Sequence, residues 1–353
     1  MSTHFDFQKL VRPNIQALKP YQSARQDFND GLLLDANENS WGDPTQSNQQ
    51  LNRYPSPTHP ELRKKMARWR GVEAQNIFVG VGSDEAIDLL FRIFCEPGHD
   101  RILTTPPTYG MYNVSANIHN LVVDEVLLTQ DDFQLRTSQI LDAVTKHTKI
   151  LLLCSPNNPT GNTYDRADMR KLVENFPGIV VIDEAYIDFS EEPSWTAEVQ
   201  QYPNLVVLQT MSKSFGLAGI RLGIAYASPT VISYMMKVKA PYNINKLTAQ
   251  KASEAFEYLD TFRAHISALK KERKRLRQML QTIPIVHQIY PSEANFLLVK
   301  MAMASAVYKQ LADRDIILRY RGNEPLCTDC LRITVGLPEE NDQLISALKN
   351  ISL

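Results

Sequence analysis

The chain has 353 residues, of which 43% are hydrophobic and 22% charged, as in a globular protein that can form one large domain and a smaller one. A formal net charge of -1 argues against a general attraction to nucleic acid or to anionic membranes. No apolar run approaches the ~20 residues that span a bilayer, and the first residues do not read as a secretory signal, so a cytoplasmic location is expected.

Seven short apolar runs between residues 76 and 228 predict β-strands. They are rich in Val, Ile and Leu without strict alternation, which is typical of strands buried on both faces. Amphipathic segments between them predict helices, one of them capped by Ser83 or Asp84. The alternation predicts an α/β fold with a mostly parallel seven-stranded sheet flanked by helices. The runs are NIFVGVG, RILTTP, LVVDEVLL, KILLLCSP, GIVVIDEAY, NLVVLQT and LGIAYAS.

After Pro241 the pattern changes to one long or two consecutive helices with a basic outer face, followed by strands ANFLLVK and LRITVG and two more helices. This part predicts a smaller α+β domain. The expected division is an N-terminal arm with part of the small domain (1–45), a large domain (46–245) and a small C-terminal α+β domain (246–353).

The four cysteines are too few and too unevenly placed for a disulfide framework. Cys327 and Cys330 have the spacing of half a zinc site, but no second pair lies nearby. They are predicted to be reduced and inert, and the sequence predicts no metal site.

The stretch QTMSKSFGLAGIRLG places Lys213 among small and apolar residues. A buried lysine there would be costly unless it lost its proton or formed a Schiff base with a carbonyl compound. The hydroxyls of Thr210, Ser212 and Ser214 and the guanidinium of Arg221 would suit a phosphate. Pyridoxal 5′-phosphate carries both groups. The alternative is a surface turn with one solvated lysine.

Two other predicted strands end in polar residues that fit this cofactor. Asp183 could pair with a protonated pyridine nitrogen and keep the ring electron-poor, and Asn157 could donate to a ring oxygen, as could Tyr186. The alternatives are a helix cap or surface ion pair for Asp183, an Asn-Pro turn for Asn157 and simple packing for Tyr186.

Upstream, Ser83 and Asp84 lie at a predicted strand-to-helix junction, where free backbone N–H groups can bind an anion. Tyr109, in PPTYGMY, could stack on a flat ring, or it could only pack.

The order of the candidates is more specific than any one of them. Asn157 precedes Asp183 by 26 residues, Lys213 follows 30 residues later and Arg221 a further 8. All four lie where strands are predicted to end, and open α/β sheets bind ligands at the carboxyl ends of their strands. The sequence therefore favours Lys213 as an internal aldimine and Arg221 as a phosphate ligand.

With these motifs the chain resembles the fold-type I pyridoxal-phosphate aminotransferases, and among them the histidinol-phosphate aminotransferases. The resemblance runs nearly end to end. The family usually has Asn and Pro where this chain has Asp35 and Ser40. The motifs are PYQSAR, LDANEN, LNRYP, FCEPG, PPTYGMY, CSPNNPTG, DEAY, SKSFGLAGIRLG, ILR and CLRITVG.

The resemblance implies that Lys213 forms the aldimine and later moves the proton, while Asp183 holds the pyridine nitrogen. Asn157 and Tyr186 would hold the phenolic oxygen, and Tyr109 would stack on the ring. It also implies a homodimer, because one phosphate ligand would come from the partner subunit. The implied phosphate ligands are Ser83, Asp84, Thr210, Ser212, Arg221 and, from the partner, Tyr54.

On the substrate side, the resemblance implies that Arg332 grips a carboxylate and that Arg319 joins it around a substrate phosphate. Arg319 could instead be a surface charge. Tyr21 and Asn37 match further substrate positions. The implied reaction is ping-pong transfer of an amino group between L-histidinol phosphate and 2-oxoglutarate, giving imidazole acetol phosphate and L-glutamate, in histidine biosynthesis.

Two alternatives share these motifs or the fold. One is a pyridoxal-phosphate decarboxylase of a phosphorylated amino acid such as threonine phosphate, which would release carbon dioxide instead of forming glutamate. The other is a non-catalytic binding protein, against which the joint presence of Lys213, Asp183, Asn157 and Arg221 argues.

Overall fold

The computed structural model describes residues 5–22, 24–26, 28, 31–45 and 47–351. Within them the β-strands are β1 (Ile77–Val81), β2 (Arg101–Thr104), β3 (Val122–Glu125), β4 (Thr148–Cys154), β5 (Ile179–Asp183), β6 (Leu205–Thr210), β7 (Leu222–Ala227), β8 (Val286–Ile289), β9 (Phe296–Met301), β10 (Arg319–Tyr320) and β11 (Cys330–Thr334). The α-helices are α1 (Phe7–Leu10), α2 (Pro13–Ala17), α3 (Pro60–Arg70), α4 (Gly82–Phe94), α5 (Met111–Ile118), α6 (Thr137–Asp142), α7 (Arg166–Asn175), α8 (Pro229–Val238), α9 (Lys246–Ala255), α10 (Leu259–Leu280), α11 (Ala304–Ala312) and α12 (Pro338–Lys349).

All seven predicted apolar runs form strands of one sheet, in the order β1-β7-β6-β5-β4-β2-β3. The pairs β2–β3, β2–β4 and β4–β5 are parallel, whereas β7 runs antiparallel to both β1 and β6. Strands β5, β6 and β7 are buried along their whole length, which explains their continuous apolar sequence. The predicted α/β fold with a mostly parallel sheet is confirmed.

A second sheet has the order β10-β11-β9-β8 with antiparallel pairing. Its apolar face packs in a core that includes Leu297, Val299 and Leu331, together with Leu276 of α10 and Leu344 of α12. This is the predicted smaller α+β arrangement. The region after Pro241 contains two consecutive helices, because a 3-10 turn at Phe256–Tyr258 separates α9 from α10.

The chain separates into two compact units, one of Met1–Glu96 with Thr196–Leu259 and one of Pro97–Trp195 with Asp260–Leu353. The first contains β1, β6 and β7, and the second contains β2 to β5 and the four-stranded sheet. The predicted division at residues 45 and 245 stays a prediction.

Helix α4 begins earlier than predicted. Its N-cap is Val81, without a side-chain cap, so the expectation that Ser83 or Asp84 caps the helix was wrong. Both residues lie instead in the first turn, and the side chain of Glu85 accepts a hydrogen bond from the backbone N–H of Val81. Acidic residues in a first turn interact favourably with the helix dipole.

The four cysteines are buried free thiols. Burial raises the pKa of Cys327 to about 12 and that of Cys330 to about 11, so both stay protonated at neutral pH. Among the described residues, no helix is both long enough and apolar enough to cross a membrane.

Candidate active site

Asp183 closes strand β5, and its carboxylate is buried there, with 2% of the residue exposed. The hydroxyl of Tyr112 donates to Oδ2 of Asp183 at 2.8 Å, and the backbone N–H of Ala185 donates to Oδ1 at 3.1 Å. Burial, with the charge of Asp183, raises the pKa of Tyr112 well above its ordinary value, so this hydroxyl stays a neutral donor. A carboxylate held in this way could pair with a protonated ring nitrogen.

Asn157 follows strand β4 and is completely buried. Its Nδ2 donates to the carbonyl oxygen of Pro107 at 2.8 Å and to Oγ1 of Thr160 at 2.7 Å, while its Oδ1 accepts from Oγ1 of Thr108 at 3.1 Å. Both amide hydrogens are therefore engaged. The predicted contact of Asn157 with a ring oxygen requires one of these bonds to be exchanged.

Three tyrosines belong to the same compact unit as Asp183. Tyr109 lies in the loop after β2 and meets the ring of Tyr112 edge to face, with centroids 5.4 Å apart. Tyr186 is buried and packs edge to face on Phe296 at 5.2 Å. Burial raises the pKa of Tyr186, so it too is a neutral donor. Nothing in the sequence singles out Tyr112, because its role depends on a contact with a residue 71 positions away.

Arg332 lies on β11 directly opposite Arg319 of β10. Its Nη1 donates to Oδ1 of Asn158 at 2.5 Å, and its guanidinium carbon lies 5.3 Å from the ring centroid of Phe296. Burial lowers the pKa of Arg332, and the charges of Arg321 and Arg319 lower it further. The structure thus brings the two predicted substrate arginines together.

Arg321 is a third member of this group that the sequence analysis missed. Its backbone N–H donates to the carbonyl oxygen of Cys330, so the strand pairing continues past β10 and places Arg321 two residues beyond Arg319. Its Nη1 donates to Glu324 at 3.1 Å, whereas its buried Nε has no hydrogen-bond partner among the described residues. The alternation in RYR was the available signal, since residues i and i+2 of a strand share a face. We call Arg319, Arg321 and Arg332 the arginine group.

Lys213 lies in the loop after β6, ahead of a 3-10 turn at Ala218–Ile220. The expectation of a buried lysine was wrong, because Lys213 is exposed in the single chain. Gly216, three residues further along the same loop, adopts a left-handed φ of 66°. An exposed amine after a strand end is accessible to an incoming carbonyl compound.

Thr210, Ser212 and Arg221, three predicted phosphate ligands in the same compact unit as Lys213, lie close together. Oγ1 of Thr210 lies 3.0 Å from Oγ of Ser212, which accepts a hydrogen bond from Nη1 of Arg221 at 3.4 Å. Gly82 has a left-handed φ of 71°, and a Cβ there would lie 2.8 Å from Nη2 of Arg221. A glycine at this position therefore leaves the guanidinium room beside the first turn of α4.

Ser83 and Asp84 follow Gly82 in the first turn of α4, a helix of 13 residues. Backbone N–H groups in a first turn have no intrahelical partner and favour anions. Nη2 of Arg221 lies 3.8 Å from a carboxylate oxygen of Asp84, so the guanidinium is drawn toward this helix end. Hydroxyls, N–H groups and one guanidinium together suit a phosphate.

The remaining predicted residues are exposed. Tyr54 stacks on Tyr242 at 4.6 Å and is 51% exposed. Tyr21 lines a cleft of about 550 Å³ that also contains Tyr242, and Asn37 and Tyr54 line another of about 390 Å³. No described contact within this unit joins them to Thr210, Ser212 or Arg221.

The loop with Asp35 is tied down by ion pairs. Glu38 accepts from Nη2 of Arg25 at 2.6 Å and from Nη1 of Arg53 at 2.8 Å, and Nε of Arg25 pairs with Asp35 at 3.1 Å. Burial opposes the charge of Glu38, but the two arginines and the N–H of Tyr54 outweigh it and lower the pKa of Glu38 to about 2. Asp35, where the family usually has Asn, thus adds a second carboxylate to Arg25.

The residues present fit pyridoxal 5′-phosphate. One unit offers a buried carboxylate, Asp183, with tyrosine donors around it, and the other offers an exposed lysine and a cluster of phosphate donors around Arg221. Gly82 leaves room for the guanidinium of Arg221 beside the first turn of α4, where a phosphate could contact both.

Comparisons with known proteins agree with this chemistry. The family model "Aminotransferase class I and II" matches residues 17–348. A histidinol-phosphate aminotransferase of Parabacteroides distasonis is 48% identical over 350 residues, 99% of each chain. The solved structure of histidinol-phosphate aminotransferase from Sinorhizobium meliloti in complex with pyridoxal-5′-phosphate is 23% identical, with a TM-score of 0.79 over 96% of each chain.

A decarboxylase shares the architecture as well. The structure of L-threonine-O-3-phosphate decarboxylase from Porphyromonas gingivalis is 22% identical, with a TM-score of 0.73 over 85% of this chain and 90% of that one. At such identities a structural likeness shows the fold alone. The family model and the 48% identical relative show more: this chain belongs to the class I and II aminotransferases.

Proposed function

We propose that the chain is a pyridoxal-phosphate-dependent histidinol-phosphate aminotransferase. It would transfer an amino group reversibly between L-histidinol phosphate and 2-oxoglutarate, giving imidazole acetol phosphate and L-glutamate, in histidine biosynthesis. The observation that carries the proposal is the 48% identity, over 99% of both chains, to a relative of that name. The arginine group supports it, because both substrates of the reaction are anions.

Two sets of residues would hold the cofactor, one at its phosphate and one at its ring nitrogen. Arg221, the hydroxyl of Ser212 and the first turn of α4 would bind its phosphate. Asp183 would keep a proton on the ring nitrogen, and Tyr112 would hold that carboxylate in place. When bound, pyridoxal phosphate supplies an electron-poor ring that stabilises negative charge on the substrate Cα.

Lys213 would act on the proton of the substrate. A neutral amine at this position would accept the proton from the substrate Cα and deliver it to the other carbon bonded to the transferred nitrogen. One residue would thus serve as base and then as acid. Tyr109 would cover a face of the ring. Tyr186, and Asn157 after exchange of one hydrogen bond, would donate to the ring oxygen.

The arginine group would bind the substrate anions. Arg332 is oriented by Asn158 and by the ring of Phe296, so its planar fork is presented in one orientation. Arg319 and Arg321 add two positive charges close to it, and among the described residues Glu324 is the carboxylate that pairs with Arg321. This excess suits a phosphate monoester as well as the carboxylates of glutamate. Tyr21 and Asn37 would complete the substrate side.

A homodimer in the cytoplasm is part of the proposal. Large apolar side chains are exposed along the N-terminal part of the chain and would be covered by a second copy. Tyr54 would then reach the cofactor phosphate of the partner. A phosphorylated substrate does not cross membranes freely, which supports the location. The exposed side chains are Phe28, Leu32, Leu34, Trp41 and Leu51.

The test is an absorbance spectrum of the purified holoenzyme before and after addition of histidinol phosphate without a keto acid. The visible band of bound pyridoxal phosphate should convert to the near-ultraviolet band of its amino form, and 2-oxoglutarate should restore it. A visible band that persists, or carbon dioxide released from threonine phosphate, would contradict the proposed reaction and favour the decarboxylase.

A further inference from the structure

His99, Asp100 and His147 bring three potential metal-ligand atoms within 4.8 Å of one another. Nδ1 of His99 lies 3.0 Å from Oδ1 of Asp100, and Nδ1 of His147 lies 3.8 Å from the same oxygen. The two imidazole rings meet edge to face, with centroids 4.3 Å apart. None of these residues belongs to the proposed cofactor or substrate site.

The backbone holds these ligands in place before any ion binds. Strands β2 and β4 pair in parallel from Arg101 and Thr148 onward, so Asp100 and His147 each directly precede a paired residue. The N–H of Arg101 donates to the carbonyl oxygen of His147 at 2.9 Å. On the other side of β2, the N–H of Val122 donates to the carbonyl oxygen of Asp100 at 3.4 Å. The start of the sheet thus fixes two of the three ligands.

We propose that His99, Asp100 and His147 bind a divalent first-row transition-metal ion, with zinc as the expected ion. Zinc binds imidazole nitrogen and carboxylate oxygen at about 2.0 to 2.2 Å with tetrahedral geometry, so its ligand atoms lie about 3.4 Å apart. The distances of 3.0 and 3.8 Å bracket that value. Solvent completes the coordination. Magnesium and calcium do not suit the site, because they prefer oxygen ligands throughout.

Burial and exposure at the cluster agree with an ion that enters from solvent. Asp100 is 4% exposed, whereas 62% of the His99 side chain and 33% of the His147 side chain are exposed. A bound ion would neutralise the buried carboxylate and link the start of β2 to the start of β4. The competing description is an ordinary hydrogen bond from His99 to Asp100 with His147 packed beside it.

Zinc titration of the holoenzyme by isothermal calorimetry distinguishes a zinc site from an ordinary hydrogen bond between His99 and Asp100. His99→Ala and His147→Ala should each weaken zinc binding at least tenfold, while His265→Ala, which removes an exposed histidine of α10, should leave it unchanged. Cobalt should give intense visible bands, typical of tetrahedral coordination, in the wild type and not in His147→Ala. Magnesium should give no binding heat.

Equal zinc affinity in the wild type and in both histidine variants would overturn the proposal, as would the absence of zinc binding to the wild type. Asp100→Asn tests the carboxylate and should also weaken binding at least tenfold. Because Asp100 is buried, that variant counts only if its circular dichroism matches the wild type, and otherwise the two histidine variants decide. The readout is binding, so it does not depend on the proposed transamination.

Discussion

Lys213 is the residue on which the proposed chemistry depends most, and its exposure makes it simple to test. Lys213→Ala removes no buried side chain, so the fold should be retained. Loss of the proton-transferring amine should lower kcat by at least about a thousandfold. Steady-state kinetics with histidinol phosphate measures the loss, and circular dichroism and thermal unfolding check the fold.

Lys251→Ala is the matched control for this change. Lys251 is a half-exposed lysine of α9 that pairs with Glu254 three residues on, a surface contact of small energetic value. Its replacement should leave kcat within about twofold of the wild type. Normal turnover in Lys213→Ala would remove the lysine from the mechanism.

Arg321 allows the arginine group to be tested at the member that only the structure reveals. Arg321→Gln keeps much of the side-chain length and hydrogen-bonding capacity but removes the charge. Losing one charge-assisted contact of about 1.4 kcal/mol should raise the KM for histidinol phosphate roughly tenfold. Initial rates against histidinol phosphate concentration provide the measurement.

Arg263→Gln serves as the control for Arg321→Gln, because Arg263 is an exposed arginine of α10 paired with Asp260. An unchanged KM for histidinol phosphate in Arg321→Gln would mean that Arg321 only balances Glu324.

At the scale of elements, the junction of β7 and α4 shapes the proposed phosphate site. Gly223 of β7 pairs with Gly80 of β1, and a Cβ on Gly223 would lie 2.1 Å from the carbonyl carbon of Gly82 and the nitrogen of Ser83. The backbones can approach this closely only because residue 223 has no side chain. The strand therefore sets the position of the first turn of the helix.

Gly223→Ala should destabilise the protein by at least about 2 kcal/mol, because backbone atoms would have to move. Urea unfolding followed by circular dichroism measures the change. Gly219→Ala provides the comparison, since a Cβ at Gly219 meets no atom within 4 Å, and it should change the free energy of unfolding by less than about 0.5 kcal/mol. Equal stability of the two variants would contradict the close approach seen here.

At the scale of the whole molecule, stability should depend on pH through His59. This residue is 6% exposed, and its Nε2 lies 3.2 Å from the carbonyl oxygen of Ile244. Burial lowers the pKa of His59 from 6.5 to about 4, and the charges of Lys239 and Arg63 add to the effect. The folded protein therefore keeps this histidine neutral at pH values where the unfolded chain protonates it.

At low pH the unfolded state binds one more proton than the folded state. The contribution of neutral His59 to the free energy of unfolding is therefore fully present above pH 6.5 and is lost as the pH falls toward 4. The loss should amount to about 3 kcal/mol in the free energy of unfolding. His59→Asn should remove this part of the pH dependence, since asparagine tolerates the left-handed φ of 46° and does not titrate. Urea unfolding at a series of pH values checks it, with His265→Asn as control. Parallel curves for wild type and His59→Asn would be the contrary result.

The strands could be predicted from sequence because burial on both faces imposes a continuous apolar composition, as in β5 and β6. Asp183 ends β5 and Lys213 follows β6, so both could be selected from the strand pattern. The prediction that Arg221 lies where a strand ends was wrong, because Arg221 directly precedes β7; it reaches the same edge of the sheet because β7 runs antiparallel to β6. The exposure of Lys213 could not be predicted, because small and apolar neighbours do not reveal which way a loop turns.

The sequence by itself determined the fold class, the order of the strands along the chain and the family, since these depend on local composition and on contiguous motifs. The tertiary structure alone decided the contacts between residues far apart in the chain. Tyr112 meets Asp183, Arg321 joins Arg332, and His147 meets Asp100 from 47 positions away. Strand pairing creates these neighbours, and the register of a pairing is set by packing across the sheet, which no single segment contains.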